Sequence, residues 1–367
     1  MGWNLDTRPA TRAARAWAII SKTALVIAIF LMLLASAGAL YQRLGTWRDA
    51  RRFHQQGKYV QAGHLKLNLD CTGKRDSPRS PVVVLDSGLG VPALGWILVQ
   101  PEVAKFARVC SYDRAGYGWS DPGLEPRTSV RIAKELKSLL DKAGEHAPYV
   151  MVGHSFGGFN VRIFTSLFPA DVAGLVLVEG SHEDEDRRMA ELLPASVIKR
   201  EEKVDQWNER KDRFLKPLRF WLGIRRLEVQ TGWGTPDYGV LQSRRLPQEL
   251  REELLFLRQQ AKFQNAVAGE AKAFVETVAE IRKAGALGDR PLIVLTAGNP
   301  LDPDPILTRD QQEKLTNLWI HVLQAEEAHL SGRGKQIVVA DSGHMVPFDR
   351  PDAVVSAIHE VWSAAKH

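Results

Sequence analysis

The stretch "VMVGHSFGGFN" (residues 150–160) sets a serine between small residues, directly after a short apolar run. Within it, "GHSFG" (153–157) fits G-x-S-x-G, the pattern of a serine exposed on a sharp strand-to-helix turn. Small residues two before and two after the serine are needed because the turn brings backbone segments too close for side chains. The pentapeptide also arises by chance, so its surroundings decide. "YVMV" (149–152) precedes it as a buried strand should, and "FNVRIFTSLFP" (159–169) follows with a helical pattern. Gly158 adds further room. Ser155 is therefore a candidate nucleophile, and a serine hydroxyl needs a general base at neutral pH.

Outward from this turn, strands and helices alternate. "HLKLNLDC" (64–71) alternates apolar and polar residues, as a half-buried strand does. "PVVVLDSG" (81–88) and "ARVCSYDRAG" (107–116) are short continuous runs of the kind buried on both faces of a sheet. "RTSVRIAKELKSLLDKAG" (127–144) has helical spacing and closes on a glycine. Further strands are expected at "GLVLVEG" (174–180), "PLIVLTAG" (291–298) and "KQIVVADSG" (335–343), with a closing helix at 351–366. The class is α/β: a mainly parallel sheet covered by helices on both faces. From Ser181 to Gly288 the rhythm gives way to charged, helix-forming sequence with Trp207, Trp221 and Trp233, including the amphipathic run "QELREELLFLRQQAKF" (248–263). That stretch reads as a helical insertion lying over the sheet.

Of the ten histidines, His344 has the right setting for a general base. It follows the strand "QIVVA" in the turn "DSGHMVPFDRP", before the last helix, and loops at the carboxyl ends of parallel strands converge on one sheet edge. His154 adjoins the serine but its side chain is expected to point elsewhere, and His182 reads as a surface loop residue.

The pieces "VVVLDSGLG" (82–90), "CSYDRAGYGWSDPG" (110–123), "VGHSFGG" (152–158), "LVLVEGSHED" (175–184) and "SGHMVPFDRP" (342–351) resemble, in order and spacing, the α/β-hydrolase superfamily. The resemblance runs from about Tyr59 to the C-terminus, interrupted by a cap. It implies an α/β-hydrolase core over 59–180 and 289–367 with a helical cap over 181–288, leaving residues 1–58 as an anchor and linker read from their own composition below. It also implies Ser155 as nucleophile, His344 as general acid/base, and the backbone N–H groups of Leu89 and Phe156 as the oxyanion hole. The family's usual His-Gly pair is here Ser87-Gly88, preceded by Asp86; backbone donors survive that change. The supporting acid has two equal candidates. Most members place it after the strand matched by "PLIVLTAG", giving Asp302, with Asp304 nearby in "NPLDPDP". Others place it at the end of the preceding strand, giving Glu179, with Glu183 close behind; a carboxylate ending so apolar a strand needs a partner. Asp113 and Arg114 are expected to form a structural turn near the pocket. In the family's sheet order the strand ending at Cys71 lies beside the one carrying Cys110, which implies a possible disulfide and a domain outside the reducing cytoplasm.

Charge narrows the partners. The net charge is +6, but residues 1–58 hold nine Lys/Arg against two Asp/Glu, so the rest of the chain is close to neutral and no nucleic-acid partner is expected. "TALVIAIFLMLLASAGALYQ" (23–42) is twenty residues without a charge, enough to cross a hydrocarbon core of ~30 Å. It reads as a single-pass N-terminal anchor; basic residues on both sides leave its orientation open, and the possible disulfide favours a catalytic domain on the extracytoplasmic side. A cleaved signal peptide is the alternative, because "ASAGA" (35–39) contains an A-x-A pattern. "RDARRFHQQGKYVQ" (48–61) reads as a linker. No clustered ligand set or phosphate-cradling loop points to a metal or cofactor.

The expected activity is hydrolysis of a carboxylic ester or related small acyl substrate through an acyl-enzyme. A serine, rather than a carboxylate, sets this chain apart from the family's dehalogenases and epoxide-opening enzymes. An aminopeptidase removing N-terminal proline is the enzymatic alternative, with "SHEDEDRR" (181–188) as a possible anchor for the substrate amine. A ligand-binding module on the same fold is the non-enzymatic one.

Overall fold

The computed structural model describes residues 12–231, 246–301 and 304–366. Eight strands, β1 (Lys58–Ala62), β2 (Leu65–Thr72), β3 (Val82–Asp86), β4 (Val109–Tyr112), β5 (Tyr149–His154), β6 (Val172–Val178), β7 (Gly288–Ala297) and β8 (Ser331–Val339), form one sheet. Their order is β1-β2-β4-β3-β5-β6-β7-β8, with β1 and β2 antiparallel and every pairing from β4 to β8 parallel. This is the α/β-hydrolase fold.

The valine-rich strands are central because both of their faces are covered. In β3, Val82 and Val84 pack with Leu136, Leu140 and Phe159 on one side of the sheet. Val83 and Leu85 pack with Ile358, Val361 and Trp362 on the other. All four β3 side chains are fully buried, each contributing roughly 1.5–3 kcal/mol. The helix Ser129–Ala143 starts where Thr128 accepts a hydrogen bond from the Arg131 N–H, and stops at Gly144, whose φ of 76° is left-handed. The apolar face of that helix is the one read from the sequence, Ile132, Ala133, Leu136, Leu139 and Leu140.

One reading needs correction. The segment 48–61 is not a linker throughout: the N-terminal helix continues to Arg52, and Lys58–Ala62 is an edge strand. Only Val60 and Ala62 of that strand are buried, so its apolar signal was too short to stand out. The amphipathic run 248–263 forms the helix Gln248–Arg258 and the start of Ala261–Lys272, the chain turning through Gln260 between them.

Between β6 and β7 the described residues form helices Glu185–Leu192, Ala195–Trp221, Ile224–Thr231, Gln248–Arg258, Ala261–Lys272 and Phe274–Ile281. Trp233 falls outside the described residues. The last two helices are tied to the core by buried polar contacts. Glu270 receives a bidentate bond from Arg114, and Thr277 Oγ1 accepts from the Ser129 N–H at 3.2 Å.

Cys71 and Cys110 face each other across β2 and β4 and are joined in a disulfide. The bond closes a loop of 39 residues, worth about 4 kcal/mol through restriction of the unfolded chain. Reduction, or Cys71→Ala with Cys110→Ala, is expected to lower unfolding stability by that order. A denaturation midpoint unmoved by reductant would contradict it.

Candidate active site

Ser155 caps β5 and opens the helix Phe156–Leu167 at φ 51° and ψ −124°. That conformation is open to a side chain only under constraint, and small residues on either side supply it. A Cβ on Gly153 would stand 2.4 Å from the Gly157 carbonyl oxygen, and one on Gly157 would stand 2.4 Å from that of Asp86. A Cβ on Gly88 would meet His154 Nδ1 at 3.0 Å and Ser155 Cβ at 3.2 Å. The loop after β3 is thus pressed against the serine turn. Neither Leu89 nor Phe156 donates its backbone N–H to an acceptor among the described residues, leaving both available to an oxyanion.

Glu179 ends β6 at φ 49°. It and Ser155 are the non-glycine residues with left-handed φ among the described residues. Such backbone costs about 1–3 kcal/mol each and gathers at functional sites. Here the two lie at the carboxyl ends of neighbouring parallel strands. The Glu179 side chain is fully buried. Its Oε2 accepts the Ala297 N–H at 2.6 Å and its Oε1 accepts the Trp319 indole N–H at 2.6 Å. His344 Nδ1 lies 4.0 Å from Oε1.

His344 sits in the turn after β8 with its side chain 45% exposed. The turn is held from several sides: Gly343 N–H donates to Asp349 Oδ2 at 3.0 Å, and Asn299 N–H donates to the Ser342 carbonyl at 2.9 Å. The His344 carbonyl accepts from His154 Nε2 at 2.9 Å. Because a carbonyl only accepts, His154 carries its proton on Nε2. Its ring is buried edge-on against Trp96, and burial, with His344 close by, pushes its pKa down to about 3. His154 is neutral at ordinary pH. Among the described residues no hydrogen bond joins the Ser155 hydroxyl to His344; the two are linked through His154, whose ring centroid is 5.1 Å from that of His344.

The remaining candidates sort clearly. Asp302 lies outside the described residues. Asp304 accepts from the Ile306 N–H in a local turn. Glu183 is paired with Arg162 at 2.7 Å, which commits its carboxylate elsewhere. His182 is not a surface residue: it is buried, accepts the Asp184 N–H on Nδ1 at 3.1 Å, and has its pKa lowered chiefly by burial. His182, Glu183 and Glu327 come close enough to hold an ion. Arg162 already bridges both carboxylates, at 2.7 and 2.6 Å, so the cluster is an ion pair rather than a vacant ligand set.

Beneath the oxyanion loop lies a buried network. Arg114 donates to Asp86 at 2.9 Å, to the Ser87 and Gly88 carbonyls at 2.5 and 3.0 Å, and to both oxygens of Glu270 at 2.9 Å. Tyr117 donates to Glu270 at 2.6 Å and accepts from the Gly90 N–H at 3.1 Å. The structural turn read at 110–123 therefore fixes the backbone that carries Leu89. Sequence reasoning missed His154 as a support of the His344 turn, and Trp319 as a support of Glu179. Trp319 begins a π-helical turn, Trp319–Leu323, which no pattern in the sequence distinguishes from ordinary helix.

Comparison with known proteins agrees with this geometry at the level of fold. A model of the alpha/beta hydrolase family matches residues 82–357. An AB hydrolase superfamily protein of Gibberella zeae is 33% identical over 113 residues, covering 30% of this chain and 35% of its own. A vacuolar membrane protein of Saccharomyces cerevisiae is 31% identical over 141 residues, covering 34% and 22%. The chain spans between 19% and 50% of the length of the curated relatives it matches. Among solved structures, Cfl2 from Burkholderia cenocepacia aligns with a TM-score of 0.56 at 18% identity, over 83% of this chain and 95% of that one. A thermophilic esterase from Thermogutta terrifontis aligns at 0.53 and 19% identity, over 86% and 100%.

Proposed function

The chain belongs to the alpha/beta hydrolase family, and on that footing we propose that it is a membrane-anchored serine hydrolase that cleaves a carboxylic ester or a related acyl substrate. The observation that carries the reading is the pair of strained residues, Ser155 and Glu179, at neighbouring strand ends, with His344 Nδ1 4.0 Å from Glu179. Ser155 Oγ attacks the acyl carbon while His344 Nε2 takes its proton. The resulting oxyanion is held by the Leu89 and Phe156 N–H groups. Collapse expels the alcohol, which receives the proton from His344, and water then attacks the acyl-enzyme by the same route. Glu179 stands behind Nδ1, orienting the ring and stabilising its charged form. Glu179 and His344 must close from 4.0 Å to hydrogen-bond distance on substrate binding; loose contacts of this kind are common before substrate arrives. A panel of p-nitrophenyl esters of increasing acyl length tests the activity: turnover of at least one that depends on Ser155 is expected, and none across the panel counts against it.

His154 acts as a positioning residue in this scheme. His154→Phe keeps the buried ring but removes the bond to the His344 carbonyl. It is expected to lower kcat roughly 10–100-fold with little change in KM, since a misplacement of about 1 Å at such sites can cost about a hundredfold. Equal losses in kcat and in folding stability would mean that it serves the fold alone.

One observation favours the aminopeptidase reading as a second choice. In "SHEDEDRR", Glu183 pairs with Arg162 and Asp184 with Arg282. Glu185 has no cation partner among the described residues; it accepts the His182 N–H at 3.1 Å. Burial pushes its carboxyl up to about 7, against the smaller lowering effects of the His182 N–H and of His344. A carboxyl so placed suits a substrate ammonium. An aminoacyl-proline panel run beside the esters separates the two activities.

The helix Arg12–Arg52 includes an eighteen-residue window of mean hydropathy 2.4, none of it buried. It is read as the anchor. The membrane protein among the relatives is in keeping with the anchor, and the disulfide, of a kind that persists in oxidising compartments, is the reason for placing the catalytic domain on the extracytoplasmic side.

A further inference from the structure

The end of the apolar helix does not hang free; it is built into the cap. Gly38 approaches so closely that a Cβ there would stand 2.6 Å from the Leu222 carbonyl oxygen, and Gly223 rests against Tyr41 in the same way. Tyr41 donates to Gln230 at 2.5 Å, and Gln42 donates to Gln259 at 3.0 Å. Asp49 and Arg226 form a buried ion pair at 2.6 Å, and Arg52 pairs with Glu249 and Glu252. Gly38, Gln42, Gly45 and Asp49 recur at helical spacing, so one face of the helix is committed to the cap.

Position along the helix then fixes depth. The uncharged run ends at Gln42, and Gly38 lies four residues inside it, about 6 Å at 1.5 Å per residue. The cap segment touching Gly38 is therefore level with the border of the hydrocarbon. That segment ends the helix Ala195–Trp221, in which none of the described side chains is fully buried. Val204, Trp207, Phe214, Leu215, Leu218 and Trp221 are instead exposed, with Phe214 at 75%, Trp207 at 69% and Trp221 at 65%. At 100° per residue they fall within an arc of about 120°, a single apolar stripe. The stretch Arg210–Trp221 carries five basic residues and one acid. Arg210, Lys211 and Arg213 have no carboxylate partner among the described residues.

We infer that the C-terminal half of this cap helix is a second membrane contact: its apolar stripe enters the boundary of an anionic leaflet beside the anchor, with Arg210, Lys211 and Arg213 at the phosphates. Three features together call for that occupant. An apolar stripe that the protein leaves uncovered is joined to a helix able to cross a bilayer, at the level where that helix leaves it. Arg210 borders the stripe and Lys211 lies on it, with no carboxylate partner among the described residues, matching a negative surface. The inference rests on the anchor reading, and it places the cap against the lipid.

The test uses the full chain reconstituted in vesicles of phosphatidylcholine with phosphatidylglycerol. An environment-sensitive fluorophore is attached at Phe214→Cys, at Glu202→Cys as a control on the polar side, and at Leu31→Cys in the anchor, without reductant so that the native disulfide stays closed. Doxyl-labelled lipid is expected to quench the Phe214 probe severalfold more than the Glu202 probe, and the Leu31 probe most of all. Replacing Arg210, Lys211 and Arg213 together by Gln is expected to reduce the Phe214 quenching in anionic vesicles and to leave that at Leu31 unchanged. A quenched Leu31 probe with Phe214 no different from Glu202 overturns the second contact while the anchor stands. An unquenched Leu31 probe overturns the anchor reading and the inference with it. Phe214 emission that shifts with protein concentration and not with lipid shows the stripe pairing between copies, which also overturns it.

Discussion

Replacing Ser155 by alanine is expected to lower ester hydrolysis by on the order of 10⁴–10⁶-fold with the fold intact. The size of the effect follows from what the hydroxyl does. It forms the covalent intermediate, and without it the remaining groups can only hold a substrate and an oxyanion beside water. Alanine fits the turn, because the Cβ already stands there at φ 51° and only the Oγ is lost. Unchanged thermal unfolding together with collapsed turnover is the expected pattern. Retention of more than a tenth of the activity would mean that the nucleophile is elsewhere.

Glu179→Gln is expected to have the second largest effect, a loss of about 10³–10⁴-fold, by analogy with amide replacement of the acid in serine-protease triads. The amide keeps the shape but removes the charge that stabilises imidazolium. It also turns an acceptor into a donor opposite the Ala297 N–H or the Trp319 indole, both now bonded to the carboxylate. Stability is therefore expected to fall by about 1–3 kcal/mol as well, so the rate is best compared at a temperature where the variant is folded. Asp302→Asn supplies the contrast, with an expected change of less than threefold. Equal, small effects at both positions would remove Glu179 from the mechanism, and a large loss at Asp302 alone would transfer the role there.

The contrast between these two acids marks how far the sequence could be read. The serine turn was legible because its requirements are local: a strand, a helix and glycines at fixed offsets, which the structure places against neighbouring carbonyls at 2.4 Å. The sheet was legible because β3, β5 and β6 are buried on both faces and so read as unbroken apolar runs. His344 was legible as the histidine in a turn after a strand. Glu179 and Asp302 stayed level because both follow apolar strands. What favours Glu179 is its left-handed backbone and a carboxylate held by an indole 140 residues away, and neither leaves a trace in local pattern. The edge strand β1 was hidden by its polar residues. His182 was misplaced because it is buried beside residues far along the chain, Glu326 at 3.4 Å among them, which local composition does not reveal. The union of anchor and cap was equally invisible, since Gly38 and Leu222 meet across 184 residues.

Peptide mass mapping after treatment with a fluorophosphonate tests the central claim most directly, because it asks for the nucleophile without knowledge of the substrate. The adduct is predicted on Ser155, formed in the wild-type chain, slowed strongly in Glu179→Gln and absent in Ser155→Ala. A protein that remains unmodified, or an adduct on another residue with Ser155 free, would contradict the account.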